Sequence, residues 1–254
     1  MVIRVENTRE PSPCVRGSPV CSLRGVSVGY GREDVVRDVT FDIMPGEFCA
    51  LLGLNGSGKT TLIRAICGFI PISGGARYID GVNLARMKAR RRAKYISYVP
   101  QRLSSLRFVS VFDVVMLGYS ARLGAFDIPS EEERGAALDI IDKVGISHLV
   151  NESFSGLSEG QKKLTILARA LVQDTPLMLM DEPDSALDFL NRHKLMDRLL
   201  QLIRNEGKAA LVSLHDPNLA LEFCDRIILI RDGEIVADLP LPGTSLDDIK
   251  ACLT

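Results

Sequence analysis

The chain contains the sequence Gly53-Leu54-Asn55-Gly56-Ser57-Gly58-Lys59-Thr60, which fits the pattern G-x-x-x-x-G-K-[ST] of loops that wrap the phosphates of a nucleotide. Its glycines allow backbone curvature that other residues resist, so successive N–H groups can point inward at an anion. Lys59 supplies a positive charge for the β- and γ-phosphates, and the Thr60 hydroxyl is a natural Mg²⁺ ligand. The pattern predicts that a nucleoside triphosphate is bound by Gly53, Asn55, Gly56, Ser57, Gly58, Lys59, Thr60 and Thr61.

The residues around this loop predict a strand before it and a helix after it. Residues 48–52 form a continuous apolar run, and residues 61–66 are typical of a helix. The free N–H groups and the positive dipole end of that helix would face the phosphates. Further apolar runs at 177–180, 209–214 and 227–230 are separated by a helical stretch at 191–203. Strands that alternate with helices favour an α/β protein with a mainly parallel sheet.

The bulk composition is that of an ordinary globular protein. Of the 254 residues, 46% are hydrophobic and 25% are charged, and the formal net charge is −1, which gives no electrostatic reason to expect nucleic-acid binding. The cysteines are scattered without a C-x-x-C pair, as in reduced intracellular proteins and unlike a zinc site or a disulfide framework. Because the sequence shows neither a bilayer-spanning apolar run nor a signal-peptide pattern, we expect a soluble cytoplasmic protein.

The chain is predicted to form one large domain between two tails. Residues 1–19 are predicted to form a flexible tail, 20–240 the domain, and 241–254 a second tail. Within the domain, residues 20–43 are expected to form short β segments that break at Gly25, Gly29 and Gly31, and Asp80-Gly81 predicts a hairpin.

A helical subdomain is predicted at about 102–156, inserted between two β-rich parts. Ser110 and Ser130 each begin a capping-box pattern, which is typical of a helix start. Gly145 is the expected stop of the second of these helices.

Two adjacent carboxylates, Asp181 and Glu182, end the apolar strand at 177–180. A strand that emerges beside a phosphate loop places Asp181 where it can hold Mg²⁺ or its bound water. Glu182 can then orient an attacking water as a general base. The alternative is an exposed acidic strand end, but the phosphate loop in the same chain favours the functional interpretation.

The sequence Leu157-Ser158-Glu159-Gly160-Gln161 has two interpretations. Ser158 and Gln161 have capping-box spacing, so a well-capped helix explains them without any ligand. Alternatively, the Ser158 hydroxyl and the Gly160 N–H form a second anion site at the helix N-terminus. One polypeptide would then carry two phosphate-facing surfaces, and a head-to-tail dimer would use both.

Six motifs follow one another in an order typical of a known family. They are the phosphate loop, Gln101 after Tyr98-Val99-Pro100, LSEGQ at 157–161, Asp181-Glu182-Pro183, Ser185-Ala186-Leu187-Asp188, and His215. In this order they resemble the ATPase subunit of an ABC transporter over residues 20–239. The resemblance implies an α/β P-loop NTPase of the ABC ATPase fold, with a RecA-like parallel-sheet core, an antiparallel β subdomain and an inserted α-helical subdomain.

The resemblance also implies a role for each motif. Tyr30 would stack on adenine, although an ordinary aromatic residue at a turn is the alternative. Gln101 would reach Mg²⁺ and the γ-phosphate and signal to a membrane partner, and His215 would hold the γ-phosphate. Ser158, Gly160 and Gln161 would contact the ATP held by the other protomer, near Asp188 at the dimer interface. The implied catalytic residues are Lys59, Gln101, Glu182 and His215, and the implied metal ligands are Thr60, Gln101 and Asp181.

The assembly implied in this way is a homodimer of ATPase subunits beside two transmembrane permease subunits, served indirectly by a substrate-binding protein. It would use ATP and Mg²⁺, bind no nucleic acid, and lie peripherally on the cytoplasmic face of the inner membrane. The rival classes are a soluble ABC-type ATPase that acts on DNA or ribosomes, and a regulatory module that only binds ATP. The intact set Lys59, Asp181, Glu182 and His215 argues against the second.

A finer resemblance concerns the transported substrate. The sequences at 118–126 and 129–132, together with Asp188-Phe189 and the run at 215–221, resemble subunits that serve iron-siderophore, haem and cobalamin importers. An ABC importer for a different substrate is the alternative.

Two residues depart from the family's pattern, and one basic cluster lies outside it. Glu159 stands where the family usually has Gly, and its charge near a triphosphate is expected at most to slow turnover. Asp184 stands where the family usually has Thr or Ser. A basic cluster of six residues is either a solvated helix face or a contact for membrane headgroups or a partner's acidic loops: Arg86, Lys88, Arg90, Arg91, Arg92 and Lys94.

Overall fold

The computed structural model describes residues 17–31, 33–85, 87–102, 108–123, 127–185, 187–205 and 207–253. Residues 1–16 of the predicted N-terminal tail, Arg86 of the basic cluster and Ala186 lie outside these ranges. The described residues form, in chain order, β1 (Cys21–Tyr30), β2 (Glu33–Ile43), β3 (Phe48–Leu52), α1 (Lys59–Cys67), β4 (Gly74–Ile79), β5 (Val82–Asn83), α2 (Ala89–Arg92), β6 (Ile96–Val99), α3 (Val111–Met116), α4 (Glu131–Val144), α5 (Glu159–Val172), β7 (Leu177–Asp181), α6 (Phe189–Asn205), β8 (Ala209–Leu214), α7 (Pro217–Phe223), β9 (Arg226–Arg231), β10 (Glu234–Pro240) and α8 (Leu246–Leu253). Short 3-10 turns lie at Leu117–Ala121, Ser147–Leu149 and Phe154–Gly156.

The larger sheet has six strands in the order β10-β9-β3-β8-β7-β6. Its pairs are parallel except for the closing hairpin of β9 and β10, which confirms the predicted parallel-centred α/β core. Leu52 pairs with Leu214, and Asp181 pairs with Ser213. The carboxyl ends of β3, β8 and β7 therefore lie side by side, and the segments that follow these strands meet at one edge of the sheet.

Strand β3 is buried on both faces because a separate hydrophobic core covers each one. Phe48, Ala50 and Leu52 pack in a core shared with the helical segment, and Cys49 and Leu51 pack in a core shared with α1 and the smaller sheet. Alternate side chains of a strand point to opposite faces, so the unbroken apolar run at 48–52 is what a strand covered on both faces requires.

The smaller sheet is antiparallel, in the order β2-β1-β4-β5. The predicted breaks at Gly25 and Gly29 are wrong, because β1 continues through both glycines with shifts in its register to β2. At Gly29 a Cβ atom would lie 1.9 Å from the carbonyl oxygen of Glu33, so the glycine allows close approach within a bulged strand. The predicted hairpin at Asp80-Gly81 is confirmed, since it joins β4 to β5.

The helical segment between β6 and β7 has the predicted caps. Ser110 and Ser130 each accept a hydrogen bond from the backbone N–H three residues later, and both capping boxes are complete. Gly145 ends α4 in the left-handed conformation, at φ 82°. No helix in the described ranges is both long enough and apolar enough to cross a membrane.

The segment 241–254, predicted only as a tail, contains α8. Its Ile249 is fully buried, and the Cys252 carbonyl accepts a hydrogen bond of 3.1 Å from Arg231 of β9. Ser245 and Asp248 form reciprocal hydrogen bonds at the start of the helix. A capped start and a buried apolar side chain together dock this short helix against the sheet.

Candidate active site

The phosphate loop joins β3 to α1 at the carboxyl edge of the larger sheet, and two of its glycines are required by close contacts. Gly58 has φ 104°, and a Cβ there would lie 2.9 Å from Cγ2 of Val36. A Cβ at Gly53 would lie 2.3 Å from the carbonyl oxygen of Ile230. The hydroxyl oxygen of Ser57 is buried and has no hydrogen-bond partner among the described residues. The loop therefore contains a buried hydroxyl that the described residues leave unsatisfied.

The side chain of Lys59, the first residue of α1, folds over this loop and hydrogen-bonds to it. Its Nζ donates hydrogen bonds to the carbonyl oxygens of Gly53 at 2.7 Å and Leu54 at 3.1 Å, and an ammonium group carries three donors. Burial lowers the pKa of Lys59, and the nearby carboxylates Glu182 and Asp181 oppose this shift. The site thus holds a partly desolvated cation next to the loop.

Asp181 is buried at the end of β7, and its two carboxylate oxygens have different surroundings. Its Oδ1 accepts hydrogen bonds from the hydroxyls of Thr60 at 3.1 Å and Ser213 at 2.9 Å. Its Oδ2 is buried without a hydrogen-bond partner among the described residues. Burial raises the pKa of Asp181, and these two hydrogen bonds counteract it.

This arrangement fits a magnesium ion that is completed by phosphate. The described residues contain no group of three or more His, Cys, Asp or Glu side chains suited to a metal, so they form no closed protein cage. Mg²⁺ prefers oxygen ligands, and with nucleotides it commonly uses one or two protein oxygens, phosphates and water. The orphaned Asp181 oxygen and the Thr60 hydroxyl meet that requirement.

Both carboxylate oxygens of Glu182 contact polar side chains. Gln101, just after β6, donates from Nε2 to Oε2 at 2.5 Å, and Nε2 of His215, just after β8, lies 2.5 Å from Oε1. The backbone N–H of Glu182 donates to the Ser213 hydroxyl at 2.9 Å. The structure therefore brings Gln101, Glu182 and His215, predicted at three distant places in the sequence, into one cluster.

The cluster borders a cleft of about 310 Å³. The cleft is lined by Val35, Asn55, Gly56, Gly58, Lys59, Thr60, Thr61 and Glu182. Tyr30, at the end of β1, is 57% exposed and lies near Arg64 of α1, on the surface next to the residues that line the cleft.

The LSEGQ residues line a different cleft, of about 320 Å³. The Ser158 hydroxyl accepts from the Gln161 N–H at 3.3 Å, and Gln161 Oε1 accepts from the Ser158 N–H at 2.9 Å. The cap of α5 is thus complete within the chain. The lining of this cleft is Gly145, Ser158, Gly160, Gln161, Leu164, Leu187, Asn191, Lys194, Leu195 and Arg198. It shares no residue with the Lys59 cleft, so the structure does not bring the two predicted phosphate-facing surfaces together in one copy of the chain.

Sequence reasoning missed two residues that hold this cluster in place. Ser213 bonds both Asp181 and Glu182, and the only signal was a hydroxyl inside the apolar run of β8. Lys163 donates from Nζ to the Glu182 carbonyl oxygen at 2.7 Å. Its signal was a charged residue on the same face of α5 as Ile166, Leu167 and Ala170, at the spacing of a buried helix stripe.

Known proteins resemble this chain along most of its length. The family described as ABC transporter matches residues 36–185. The manganese transport ATP-binding protein MntA of Synechocystis is 38% identical over 83% of this chain and 80% of its own length. The hemin import ATP-binding protein HmuV of Vibrio parahaemolyticus is 34% identical over 86% and 84%, and the aliphatic sulfonates import protein SsuB of Cupriavidus necator is 36% identical over 89% and 71%.

Solved structures resemble the fold in the same way. A putative metal-chelate type ABC transporter in an inward-facing conformation aligns with a TM-score of 0.80 at 26% identity, over 93% of this chain and 89% of that chain. A dimeric bacterial ABC transporter cassette aligns with a TM-score of 0.79 at 29% identity, over 88% of this chain and 100% of that chain. These likenesses confirm the fold and the ATPase activity predicted from the order of the motifs. The chain belongs to the family of ABC transporter ATP-binding subunits, of the importer type, and is an ATPase.

Proposed function

We propose that this chain energises the import of a metal chelate of the iron-siderophore, haem or cobalamin class, as a homodimer docked on two permease subunits. The hemin-import relative and the metal-chelate transporter support this substrate class. The manganese and sulfonate relatives are equally similar, so an importer of another substrate is the alternative. A peripheral position on the cytoplasmic face of the inner membrane, with a substrate-binding protein outside, follows from this assembly.

ATP would bind first to the Lys59 cleft of one protomer. The N–H groups at the start of α1 and the Lys59 ammonium would receive the phosphates, and Tyr30 would stack on the adenine ring. Ser158, Gly160 and Gln161 of the second protomer would cover the same nucleotide from the other side. The dimeric cassette among the similar structures supports this sandwich.

Thr60, Asp181 and Gln101 are the residues that would hold Mg²⁺. When bound, the ion would neutralise charge on the phosphate oxygens of ATP. The orphaned oxygen of Asp181 is the observation in this chain that supports its place there.

The single observation that carries the mechanism is that Gln101 and His215 both contact the Glu182 carboxylate. Its two oxygens are engaged by Gln101 and His215 at 2.5 Å each. A γ-phosphate in the cleft would attract both of these donors, because it carries more negative charge than a carboxylate. Glu182 would then be free to orient a water and to accept its proton as the water attacks the γ-phosphorus and the bond to the bridging oxygen breaks, with ADP as the leaving group. His215 and Lys59 would hold the phosphate meanwhile.

Glu182→Gln tests this mechanism. The amide cannot accept the proton, so we expect the ATPase kcat to fall by at least about 100-fold, while ATP binding persists and an ATP-bound dimer accumulates in size-exclusion chromatography with light scattering. Glu132→Gln, an exposed carboxylate of α4, is the matched control and should behave as the parent chain. Normal turnover in Glu182→Gln would contradict the role given to this residue.

The substrate class has its own test. We expect the chain to co-purify with an integral membrane permease, and the reconstituted complex to take up a haem or a ferric siderophore in an ATP-dependent manner. Uptake of free manganese or of a sulfonate in place of the chelates would select the alternative importer. Recovery without any membrane partner would instead favour a soluble ABC-type ATPase.

A further inference from the structure

Lys163 is a buried cation on the second turn of α5, the helix that begins with the LSEGQ motif. Only 4% of its surface is exposed. Its Nζ donates to the Glu182 carbonyl oxygen at 2.7 Å and to the Ser185 hydroxyl at 2.6 Å. One side chain thus joins the LSEGQ helix to the strand end that carries Glu182 and to the turn that follows it. Burying an ammonium is costly unless it is paired and hydrogen-bonded, so its place here demands an explanation.

The peptide that Lys163 contacts is an unusual one. Glu182 has φ 49°, in the left-handed region that residues other than glycine rarely occupy. Such a conformation persists only where the surroundings hold it. Glu182 is held at its N–H by Ser213 and at its carbonyl by Lys163 and by the backbone N–H of Ser185, at 3.3 Å. The direction of the Glu182 side chain depends on these contacts.

A buried carboxylate accompanies this lysine. Asp184 is 4% exposed, and its Oδ1 has no hydrogen-bond partner among the described residues. Burial raises the pKa of Asp184, and the positive groups that oppose this shift are Arg192, Lys163 and His215. In the same way, burial lowers the pKa of Lys163, and Asp184 is the first of the acidic groups that oppose it. Each charge therefore makes the burial of the other less costly.

We propose that Lys163 is a positioning residue that connects the LSEGQ helix to the backbone of Glu182, with the buried Asp184, next to Ser185 in the chain, as a nearby opposite charge. A shift of α5, whose N-terminus carries the proposed contacts to the partner protomer's ATP, would reach the water-orienting carboxylate of its own protomer through this side chain. Asp184, which departs from the family's pattern, then has a physical role in this chain. The inference rests on the proposed role of Glu182.

The test compares Lys163→Met with the double variant Lys163→Met/Asp184→Asn. Methionine keeps the approximate length of lysine but donates no hydrogen bond. The single variant removes one of the three positive groups near the buried Asp184, so we expect both its melting temperature and its kcat to fall. The double variant removes both charges and should recover most of the melting temperature. It should still lose about tenfold or more in kcat, with the KM for ATP changed by less than about twofold, because displacement of a positioned group slows chemistry without weakening phosphate binding.

Lys143→Met, at an exposed lysine of α4, controls for the loss of a lysine. Recovery of kcat to within about threefold in the double variant would overturn the proposal, because Lys163 would then act on stability alone. A KM that rises as much as kcat falls would overturn it too. Glu182→Gln is measured in parallel. Normal turnover in that variant would contradict the proposed role of Glu182. An inactive Glu182→Gln together with a normal double variant would contradict only the role given to Lys163.

Discussion

The two predicted phosphate-facing surfaces of this chain are built in different ways. Around Lys59, side chains at the ends of four neighbouring strands, β3, β8, β7 and β6, are buried or bonded to one another. Asp181 and Glu182 are almost inaccessible to solvent. At Ser158, the polar groups belong to the N-terminus of one helix, and its capping box satisfies the side chains of Ser158 and Gln161 internally. The first surface is prearranged for a ligand, and the second is a stable helix start with no ligand-directed side chain of its own.

This difference teaches where each surface can act. A cluster with an orphaned carboxylate oxygen and a desolvated lysine gains contacts when a metal–nucleotide complex arrives, so one copy of the chain is expected to bind ATP. A capped helix end offers mainly its backbone N–H groups and its dipole, which add to a nucleotide already held elsewhere. In the proposed function, two copies are therefore needed for the second surface to contribute, and this difference between the surfaces can be tested.

The largest effect is expected from Lys59→Met. The substitution removes the cation beside the phosphate loop, and charge-assisted contacts to phosphate are among the strongest available in proteins. We expect kcat/KM to fall on the order of 1000-fold. The melting temperature without nucleotide should change little, because the gain from no longer burying an ammonium is offset by the loss of its hydrogen bonds to Gly53 and Leu54. ATP should no longer raise it. Retained ATP protection in this variant would mean that the Lys59 cleft is not the primary binding site.

The second surface is tested by Ser158→Ala against Ser130→Ala. Both serines cap helices of 14 residues with complete capping boxes, so each substitution should cost about 1 kcal/mol of unfolding free energy. Only Ser158 lies in the proposed dimer contact. We expect Ser158→Ala to lower kcat about tenfold and to weaken ATP-dependent dimerisation, while ATP binding by a single copy is unchanged.

The paired design separates the two interpretations of LSEGQ. Equal stability losses with equal, normal ATPase rates would leave Ser158 as a helix cap and nothing more. A loss of ATP binding in the Ser158→Ala monomer would also contradict the division of the two surfaces, since it would place both in one protomer's site.

The sequence predicted the residues of the first surface, but not the tertiary contacts that hold them in place. The phosphate loop, the acidic strand end and the buried strands follow from local patterns, and the alignment of β3, β8 and β7 follows from parallel pairing. The contacts of Gln101 and His215 with the Glu182 carboxylate do not follow from local patterns, because the sequence near either residue gives no distance to a residue far along the chain. Their grouping came from the order of motifs in a family, not from spacing.

Other features were present in the sequence but were weak as signals. Ser245 and Asp248 fit the same capping-box pattern as the start of α4, yet the helix that they begin is short and lies in a segment predicted to be a tail. Lys163 broke the apolar stripe of α5, and Asp184 departed from the family's pattern. The sequence alone explains neither residue, because whether a buried charge is tolerated depends on the charges and carbonyl groups that tertiary folding places next to it.

The smallest effect is expected at Glu159, the charge at the start of the second surface. Its side chain is 64% exposed and its Oε1 lies 2.8 Å from Nζ of Lys162, so the pair adds little net charge near a nucleotide, and salt screens the remainder. We expect Glu159→Gly to change kcat by less than about threefold. Lys162→Met leaves the Glu159 carboxylate without its neighbouring cation, so it should slow turnover by about twofold at low salt and by less at high salt. The double variant with Glu159→Gly should not show this effect. Steady-state ATPase rates at two ionic strengths decide the matter. A rise of tenfold or more in Glu159→Gly would show that electrostatic repulsion at the helix start, rather than the absence of a second copy, limits what this surface contributes.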